Sequence, residues 1–161
     1  MRPVDFEIPL VYKPFKGEYK ITANFGVRAK VRDFSPHKGV DYALPEGTPV
    51  FACMDGRALC RGHEDGNKAG NRVLLFNYAR GIEALYFHLK DFAFHEPNRD
   101  FKVGDLLGWS GNTGHSTGPH LHFEIRKLTD ASPMKPYFIE QHTLEEVLDK
   151  APYGLPEETN V

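Results

Sequence analysis

The sequence lacks the features that define several large classes of protein. It has only two cysteines, Cys53 and Cys60, which excludes a disulfide-rich scaffold and a four-cysteine zinc knuckle. No apolar run reaches the roughly 18 residues that a transmembrane helix needs. The formal net charge is -2, and basic and acidic residues are mixed along the chain without a basic block. This pattern argues against nucleic acid as a partner.

The first 17 residues also lack the continuous apolar stretch of a secretory signal peptide, because prolines and charged residues interrupt them. We therefore expect synthesis in the cytoplasm, or a leader that was removed from a longer form of the chain. A predicted hairpin with Asp55-Gly56 at its turn would make Cys53 and Cys60 diagonal neighbours, about 7–8 Å apart. The Cα atoms of a relaxed disulfide are closer together than this, so we expect two free thiols.

What the sequence does contain indicates one mainly β domain. Strands are predicted at residues 19–25, 49–53, 57–60, 72–77, 84–88 and 120–126, each short and bounded by turn residues. Their spacing favours an antiparallel, sandwich-like sheet over βαβ units. A capping box at Thr143 predicts a short C-terminal helix that ends near Lys150. We expect a single domain of residues 1–150, followed by a loose tail of residues 151–161.

Two histidines at alternate positions, His120 and His122, form the most informative pattern. In a strand, side chains two residues apart project from the same face, and Leu121, Phe123 and Ile125 would then face the core. A strand that gives its polar face to two imidazoles is typical of a divalent metal site. A lone pair of this kind, however, is more often solvated or hydrogen-bonded.

A second cluster strengthens the metal interpretation. His37 and Asp41 are four residues apart, so they also share a face in an extended segment. With the histidine pair they supply the imidazoles and carboxylate of a catalytic zinc site, which keeps one coordination position open. Taken alone, they are equally compatible with a solvated histidine and an aspartate at a strand edge.

Other residues complete the candidate site. His88 ends an apolar strand and by alternation shares a face with Tyr86. It is either a hydrogen-bonded core histidine or an imidazole that polarises water or stabilises an oxyanion. The glycine-rich run 108–118 lacks the ending of a phosphate-binding loop and favours close approach of its backbone to an extended substrate. An extended substrate of this kind would lie in a groove. The residues that we expect to line it are Tyr86, Asn112, Thr113 and His115.

These residues together resemble the lysostaphin-like zinc endopeptidases, which cut the peptides of bacterial peptidoglycan. The similarity covers roughly residues 21–137. Its main motifs are Phe25-Gly26-Val27-Arg28, His37-x-Gly39-x-Asp41, Tyr86-Phe87-His88-Leu89 and Ser116-Thr117-Gly118-Pro119-His120-Leu121-His122.

The resemblance implies a role for each matching residue. His37, Asp41 and His122 would bind one zinc ion per chain, and His88 and His120 would be catalytic without touching the metal. This differs from spacing alone, which counts both His120 and His122 as ligands. The resemblance also implies an antiparallel sheet with a loop-walled groove, and hydrolysis of peptidoglycan cross-links or stem peptides. We expect a monomer that acts on the cell wall, and a domain of this kind made in the cytoplasm would be a phage lysin or a truncated form of a longer protein.

Two alternatives stay open. A non-catalytic or autoinhibited relative would act as a peptidoglycan- or partner-binding module, although such proteins usually lose ligands that are all present here. A zinc carboxypeptidase is faintly suggested by Ser35-Pro36-His37, but its further Glu-x-x-His element is not seen. The sequence leaves open whether glycine cross-bridges or direct stem-peptide cross-links are cut. Manganese or cobalt could replace zinc in vitro.

Overall fold

The computed structural model describes residues 10–32 and 34–139, and the regular secondary structure in this part of the chain is almost entirely β-strand. Two short 3₁₀ turns, Lys30–Arg32 and His63–Asp65, interrupt them. The strands in chain order are β1 (Leu10–Tyr12), β2 (Ile21–Ala23), β3 (Val40–Tyr42), β4 (Pro49–Phe51), β5 (Gly56–Arg61), β6 (Asn71–Asn77), β7 (Ile82–Phe92), β8 (Arg99–Phe101), β9 (Leu106–Ser110), β10 (Leu121–Lys127), β11 (Pro133–Met134) and β12 (Tyr137–Ile139).

Seven strands form a continuous antiparallel path in the order β2-β3-β10-β7-β6-β5-β8. β4 and β9 form a ribbon that joins the sheet because β9 also pairs with β7, and β11 pairs with β10. β1 and β12 form a separate parallel pair. The mainly β, antiparallel fold predicted from the sequence is confirmed, and β7 and β10 lie at the centre of the path.

Alternation along β10 separates the core from the opposite face of the sheet. Phe123 and Ile125 are fully buried and belong to one apolar cluster with Val50 and Leu107 of the β4–β9 ribbon. Each such side chain contributes roughly 1.5–3 kcal/mol when it is buried. A slip of one residue would exchange this face for the one that carries His122, so core packing fixes the register of the site.

All six predicted strands coincide with observed ones, namely β2, β4, β5, β6, β7 and β10. The predicted hairpin at Asp55-Gly56 is wrong. β4 pairs with β9, whereas β5 pairs with β6 and β8, so the turn does not join two hydrogen-bonded partners. Cys53 and Cys60 are nevertheless free thiols, as expected.

The predicted helix after Thr143 and the predicted tail from residue 151 lie outside the described residues. The division into residues 1–150 and 151–161 therefore stays a prediction. Over residues 10–32 and 34–139, no helical segment has the length and hydrophobicity needed to span a bilayer.

Candidate active site

The pairing of β3 with β10 brings the predicted metal ligands together. Asp41 lies directly opposite His122 in the antiparallel register, and His37 reaches them from the segment before β3. His37 Nε2 is 3.2 Å from His122 Nδ1 and 3.4 Å from Asp41 Oδ2. Asp41 Oδ1 is 2.7 Å from His122 Nδ1. Each residue thus offers one ligand atom, all within 4.8 Å of one another.

This arrangement fits a divalent ion of the size of zinc. Bonds of about 2.0–2.2 Å place neighbouring ligand atoms of a tetrahedron roughly 3.3 Å apart. Two of the three separations match this value, and rotation of the Asp41 carboxylate would lengthen the third. Within the described residues, no fourth histidine, cysteine or carboxylate joins the group. A bound ion would therefore keep a coordination position for water or substrate.

Hydrogen bonds on the far side of each imidazole determine which nitrogen can bind the metal. His37 Nδ1 donates to the backbone oxygen of Asn24 at 3.1 Å, which leaves Nε2 as the ligand atom. His122 Nε2 donates to Glu124 Oε2 at 2.7 Å, which leaves Nδ1. Glu124 is in turn held by Arg126 Nε at 2.9 Å. Outer partners of this kind fix ring orientation and strengthen the metal bond.

The carboxylates make the cluster attractive to positive charge. Burial acts to lower the pKa of His122, but its bonds to Asp41 and Glu124 outweigh burial and raise that pKa to about 9. Burial acts to raise the pKa of Asp41, but its bonds to His122 and His37 hold it well below its usual range. A cation that binds at His122 Nδ1 must displace a proton, so binding here is coupled to pH.

The two histidines predicted to be catalytic lie beside this triad, with ring centroids 4.7 Å apart. His88 Nδ1 is 2.7 Å from the backbone oxygen of Thr113, and His120 Nδ1 is 2.8 Å from that of Gly118. Because a carbonyl oxygen only accepts, both rings are assigned their proton on Nδ1 and keep Nε2 as an acceptor. Burial lowers the pKa of His88 to about 4, despite the opposing bond to Thr113, so this ring is neutral near pH 7.

His88 has an unusual backbone for a residue within a strand. Its φ is 65°, a left-handed value that costs a side-chain-bearing residue on the order of 1–3 kcal/mol. The residue lies where β7 changes partner, because Phe87 pairs with β10 whereas Leu89 pairs with β9. Its N–H donates to the backbone oxygen of Ala69 at 2.8 Å, so the loop that precedes β6 holds it in place.

Close packing of two loops supports this conformation. The loops are 62–70 and 111–119, and they touch at Gly70 and Gly114. A Cβ at Gly70 would lie 2.6 Å from the backbone carbonyl of Thr113, and one at Gly114 would lie 2.5 Å from the Gly70 nitrogen. No other residue type fits this contact without displacing a backbone.

Thr113 connects the two loops to His88. Its hydroxyl accepts a hydrogen bond from the Asn71 N–H at 3.0 Å and donates to the backbone oxygen of Leu89 at 2.7 Å. Its own carbonyl is the acceptor for His88 Nδ1. Loop packing therefore decides both the orientation and the tautomer of His88.

A groove of about 560 Å³ extends from His122 and His88 along the face of the sheet. Its apolar floor includes Phe87, whose ring stacks on that of His122 with centroids 5.0 Å apart. Residues from loop segments form the walls, as expected from the resemblance. They are Arg32, Lys38, Asn67, Lys68, Ala69 and His115.

The residues predicted to line the groove lie at different positions relative to it. His115 borders the groove. Thr113 acts from behind it, through the carbonyl that orients His88. Asn112 is exposed and accepts a hydrogen bond from Ser116 Oγ.

The structure corrects the prediction for Tyr86. This residue is fully buried, its hydroxyl accepts from the Cys53 N–H at 2.9 Å and donates to the backbone oxygen of Phe51 at 3.1 Å. It therefore supports the core and cannot touch a substrate. Alternation failed because the left-handed backbone of His88 turns the histidine away from the face of Tyr86.

Glu124 belongs to this cluster of side chains, and the sequence reasoning missed it. It is almost fully buried, yet it binds the ring of His122. The available signal was its position two residues after His122, which puts both side chains on one face of the strand.

Comparison with known proteins identifies relatives along most of the chain. It is 38% identical over 139 residues to the DD-carboxypeptidase/endopeptidase Mpg of Neisseria meningitidis serogroup B, an alignment that covers 85% of this chain and 29% of Mpg. It is 34% identical over 116 residues to the peptidoglycan DD-endopeptidase ShyA of Vibrio cholerae, covering 70% of this chain and 26% of ShyA. The chain thus spans less than a third of the length of these relatives.

Two solved structures that are similar to this chain are also those of peptidases. The catalytic domain of lysostaphin from Staphylococcus simulans superposes with a TM-score of 0.65 at 29% identity, covering 73% of this chain and 88% of that domain. A zinc-containing peptidase from Vibrio cholerae gives a TM-score of 0.65 at 28% identity, covering 77% and 38%. The profile of peptidase family M23 matches residues 35–136, which include all five histidine and aspartate positions of the site, and the chain belongs to this family.

Proposed function

We propose that this chain is a zinc-dependent endopeptidase that hydrolyses peptide bonds in the cross-links or stem peptides of bacterial peptidoglycan. One observation carries the proposal. A three-residue metal site without a fourth protein ligand in the described chain lies beside two imidazoles, at one end of a groove. The names of Mpg, ShyA and lysostaphin place relatives of this chain among peptidases, and two of those names specify endopeptidases.

His37, Asp41 and His122 would hold the zinc ion. When bound, zinc supplies a Lewis acid that polarises a carbonyl and brings the pKa of water toward neutrality. Its two neutral imidazoles and one carboxylate are the donor set of catalytic rather than structural zinc sites.

His88 and His120 would move the protons. In the tautomer favoured by Thr113 and Gly118, Nε2 of each ring is an acceptor, which suits it to take a proton from the attacking water. Once protonated, the same Nε2–H becomes a donor to the oxyanion or to the leaving amine. The low pKa of His88 keeps that ring in the accepting form at neutral pH.

The apolar floor would hold an extended peptide beside these groups. Leu74, Leu85 and Phe87 come from adjacent strands and form a continuous strip that leads to His122. Within the described chain, no observation favours a module that only binds, because all ligand and histidine positions are intact. Action as a monomer at the cell wall belongs to the same proposal.

The test is digestion of purified peptidoglycan of two cross-link types, one with glycine bridges and one with direct cross-links, in the presence of zinc. Mass spectrometry of the soluble fragments identifies new amino and carboxyl termini. The unmodified protein should release such fragments, whereas His120→Ala should not. His63→Ala, which changes an exposed histidine outside the groove, is the matched control and should behave like the unmodified protein. Failure to cleave either type with zinc bound would contradict the proposal.

A further inference from the structure

The groove is bordered by more positive than negative charge. Among its lining residues, Glu124 is the one carboxylate. The basic residues that line it are Arg32, Lys38, Lys68, Arg72 and Arg126. The whole chain carries a formal net charge of -2, so this groove differs in sign from the protein around it.

Two of the five cations are compensated by carboxylates. Arg72 binds Asp65 through both terminal nitrogens, at 2.7 and 3.4 Å. Arg126 binds Glu124 through Nε and lies opposite Glu83 in the register of β10 and β7. These guanidinium groups stabilise the sheet face and leave little net charge for a ligand.

The other three cations have no carboxylate partner within residues 10–32 and 34–139. Lys38 and Lys68 are exposed and form no ion pair there. Arg32 donates to the backbone oxygen of Val27 at 3.1 Å, which does not neutralise its charge. The uncompensated charge of the groove therefore lies in its loop walls rather than on its floor.

The two lysines come from segments that also carry the site. Lys38 directly follows His37, a member of the metal triad. Lys68 directly precedes Ala69, whose carbonyl binds the N–H of His88. An extended peptide rises about 3.3 Å per residue, so a ligand carboxylate two or three residues from the reacting bond lies roughly 7–10 Å along the groove from it.

We propose that Lys38 and Lys68 select peptides that carry a free carboxylate close to the bond that is cut. In peptidoglycan this chemistry belongs to stem peptides whose acidic residues are not amidated, and a polyglycine bridge does not have it. The inference rests on the proposed function. It makes the two lysines specificity-determining residues.

The experiment compares two soluble, cross-linked stem-peptide dimers that differ only in charge. In one dimer the acidic residues carry free carboxylates, and in the other they are carboxamides. The zinc-loaded protein should cleave the carboxylate form with a kcat/KM about five- to tenfold higher at low ionic strength, since exposed ion pairs are individually weak. The ratio of the two kcat/KM values should fall toward one in about 1 M salt, where the screening length is roughly 3 Å.

Matched variants separate the lysines from general charge effects. In the double variant Lys38→Gln with Lys68→Gln, the kcat/KM values for the two dimers should converge, so that most of the preference is lost. Lys102→Gln changes an exposed lysine in a different depression beside β8 and should keep the preference. Calorimetric binding of each dimer to the His120→Ala protein gives a second readout that does not depend on turnover.

The outcomes of the two proposals are distinguishable. Equal cleavage of both dimers, or a preference that survives in the double variant, would overturn the inference and leave the peptidase activity in place. Absence of cleavage of both dimers and of intact peptidoglycan would instead count against the proposed function. A preference for a glycine-bridged dimer over both stem-peptide dimers would also overturn the inference.

Discussion

The proposed metal triad and the proposed catalytic pair, His88 and His120, lie side by side, but the chain builds them in different ways. Asp41 and His122 stand opposite each other in a regular antiparallel ladder, in a register that the core face of β10 fixes. His88 lies at a break between two strand pairings, with a left-handed backbone held by contacts between loops. The ligands therefore depend on the sheet, whereas the catalytic pair depends on loop packing.

This difference predicts that the two groups can be damaged separately. Changes at the triad should remove the metal and leave the fold, because the side chains project from a face that does not build the core. Changes in the loops should misplace His88 and leave the metal in place. Substitutions made in each group separately test this difference.

The largest effect should follow Asp41→Ala. Loss of one of three ligands should reduce activity by more than the roughly 10- to 100-fold that loss of an outer partner costs, down to the level of chelator-treated protein. Zinc content by elemental analysis, together with circular dichroism, checks this. Asp100→Ala removes a surface carboxylate that pairs with the exposed Arg57, and it should change neither quantity. Retention of one zinc per chain by Asp41→Ala would place the metal elsewhere.

His120→Ala should lower the rate while the metal stays bound. Removal of a general acid or base typically costs about 10²–10⁴-fold in rate. Zinc stoichiometry and kcat, measured on the same sample, distinguish a catalytic residue from a ligand. His95→Ala changes an exposed histidine and serves as the control. If His120→Ala lost its zinc, both members of the His-x-His pair would be ligands, as spacing alone allows.

Glu124→Gln should weaken metal binding in a manner that depends on pH. Above about pH 9, where His122 is deprotonated, loss of the orienting carboxylate should weaken zinc affinity by roughly 10- to 100-fold. At lower pH the difference in zinc affinity between the variant and the unmodified protein should become smaller. Glu124 helps to raise the pKa of His122, so the variant binds the competing proton less tightly. Zinc titrations in chelator-buffered solutions across this range measure both effects, and a constant difference at all pH values would contradict the coupling.

How far the sequence predicts the site follows from the same contrast. Alternation around His122 correctly assigned Phe123 and Ile125 to the core, because period two is a local property of a strand. The meeting of Asp41 with His122, 81 positions away along the chain, needs a strand pairing that spacing alone does not specify. Family resemblance supplied that step, and the structure brings those ligand atoms together.

The loop contacts are harder to predict from the sequence than the strand pattern is. Thr113 orients His88 through a backbone carbonyl, a group that every residue has, so no residue type indicates the role. Glycine spacing hinted at close backbone approach, but the approach is to a second loop as well as to the groove. The failure at Tyr86 has the same origin, since a left-handed residue ends the alternation on which the prediction relied.

The smallest expected effect, and the sharpest test of the contrast, is Gly70→Ala compared with Gly66→Ala. Both glycines have positive φ, 70° and 78°, so alanine costs roughly 1–2 kcal/mol of folding free energy at either site. At Gly66 an added Cβ meets nothing within 4 Å, whereas at Gly70 it meets the backbone of Thr113. Thermal or denaturant unfolding should therefore show a larger loss for Gly70→Ala, and the loop should shift.

That shift moves the carbonyl that orients His88, and small misplacements of a catalytic group are costly. We expect kcat to fall about tenfold in Gly70→Ala, with zinc content unchanged, and to stay constant in Gly66→Ala. Zinc content and kcat, compared at equal folded fraction, decide the outcome. A variant that lost zinc together with kcat would mean that the loops also hold the triad. The ladder of β3 and β10 would then not suffice to form the metal site, and the two regions would act as one unit.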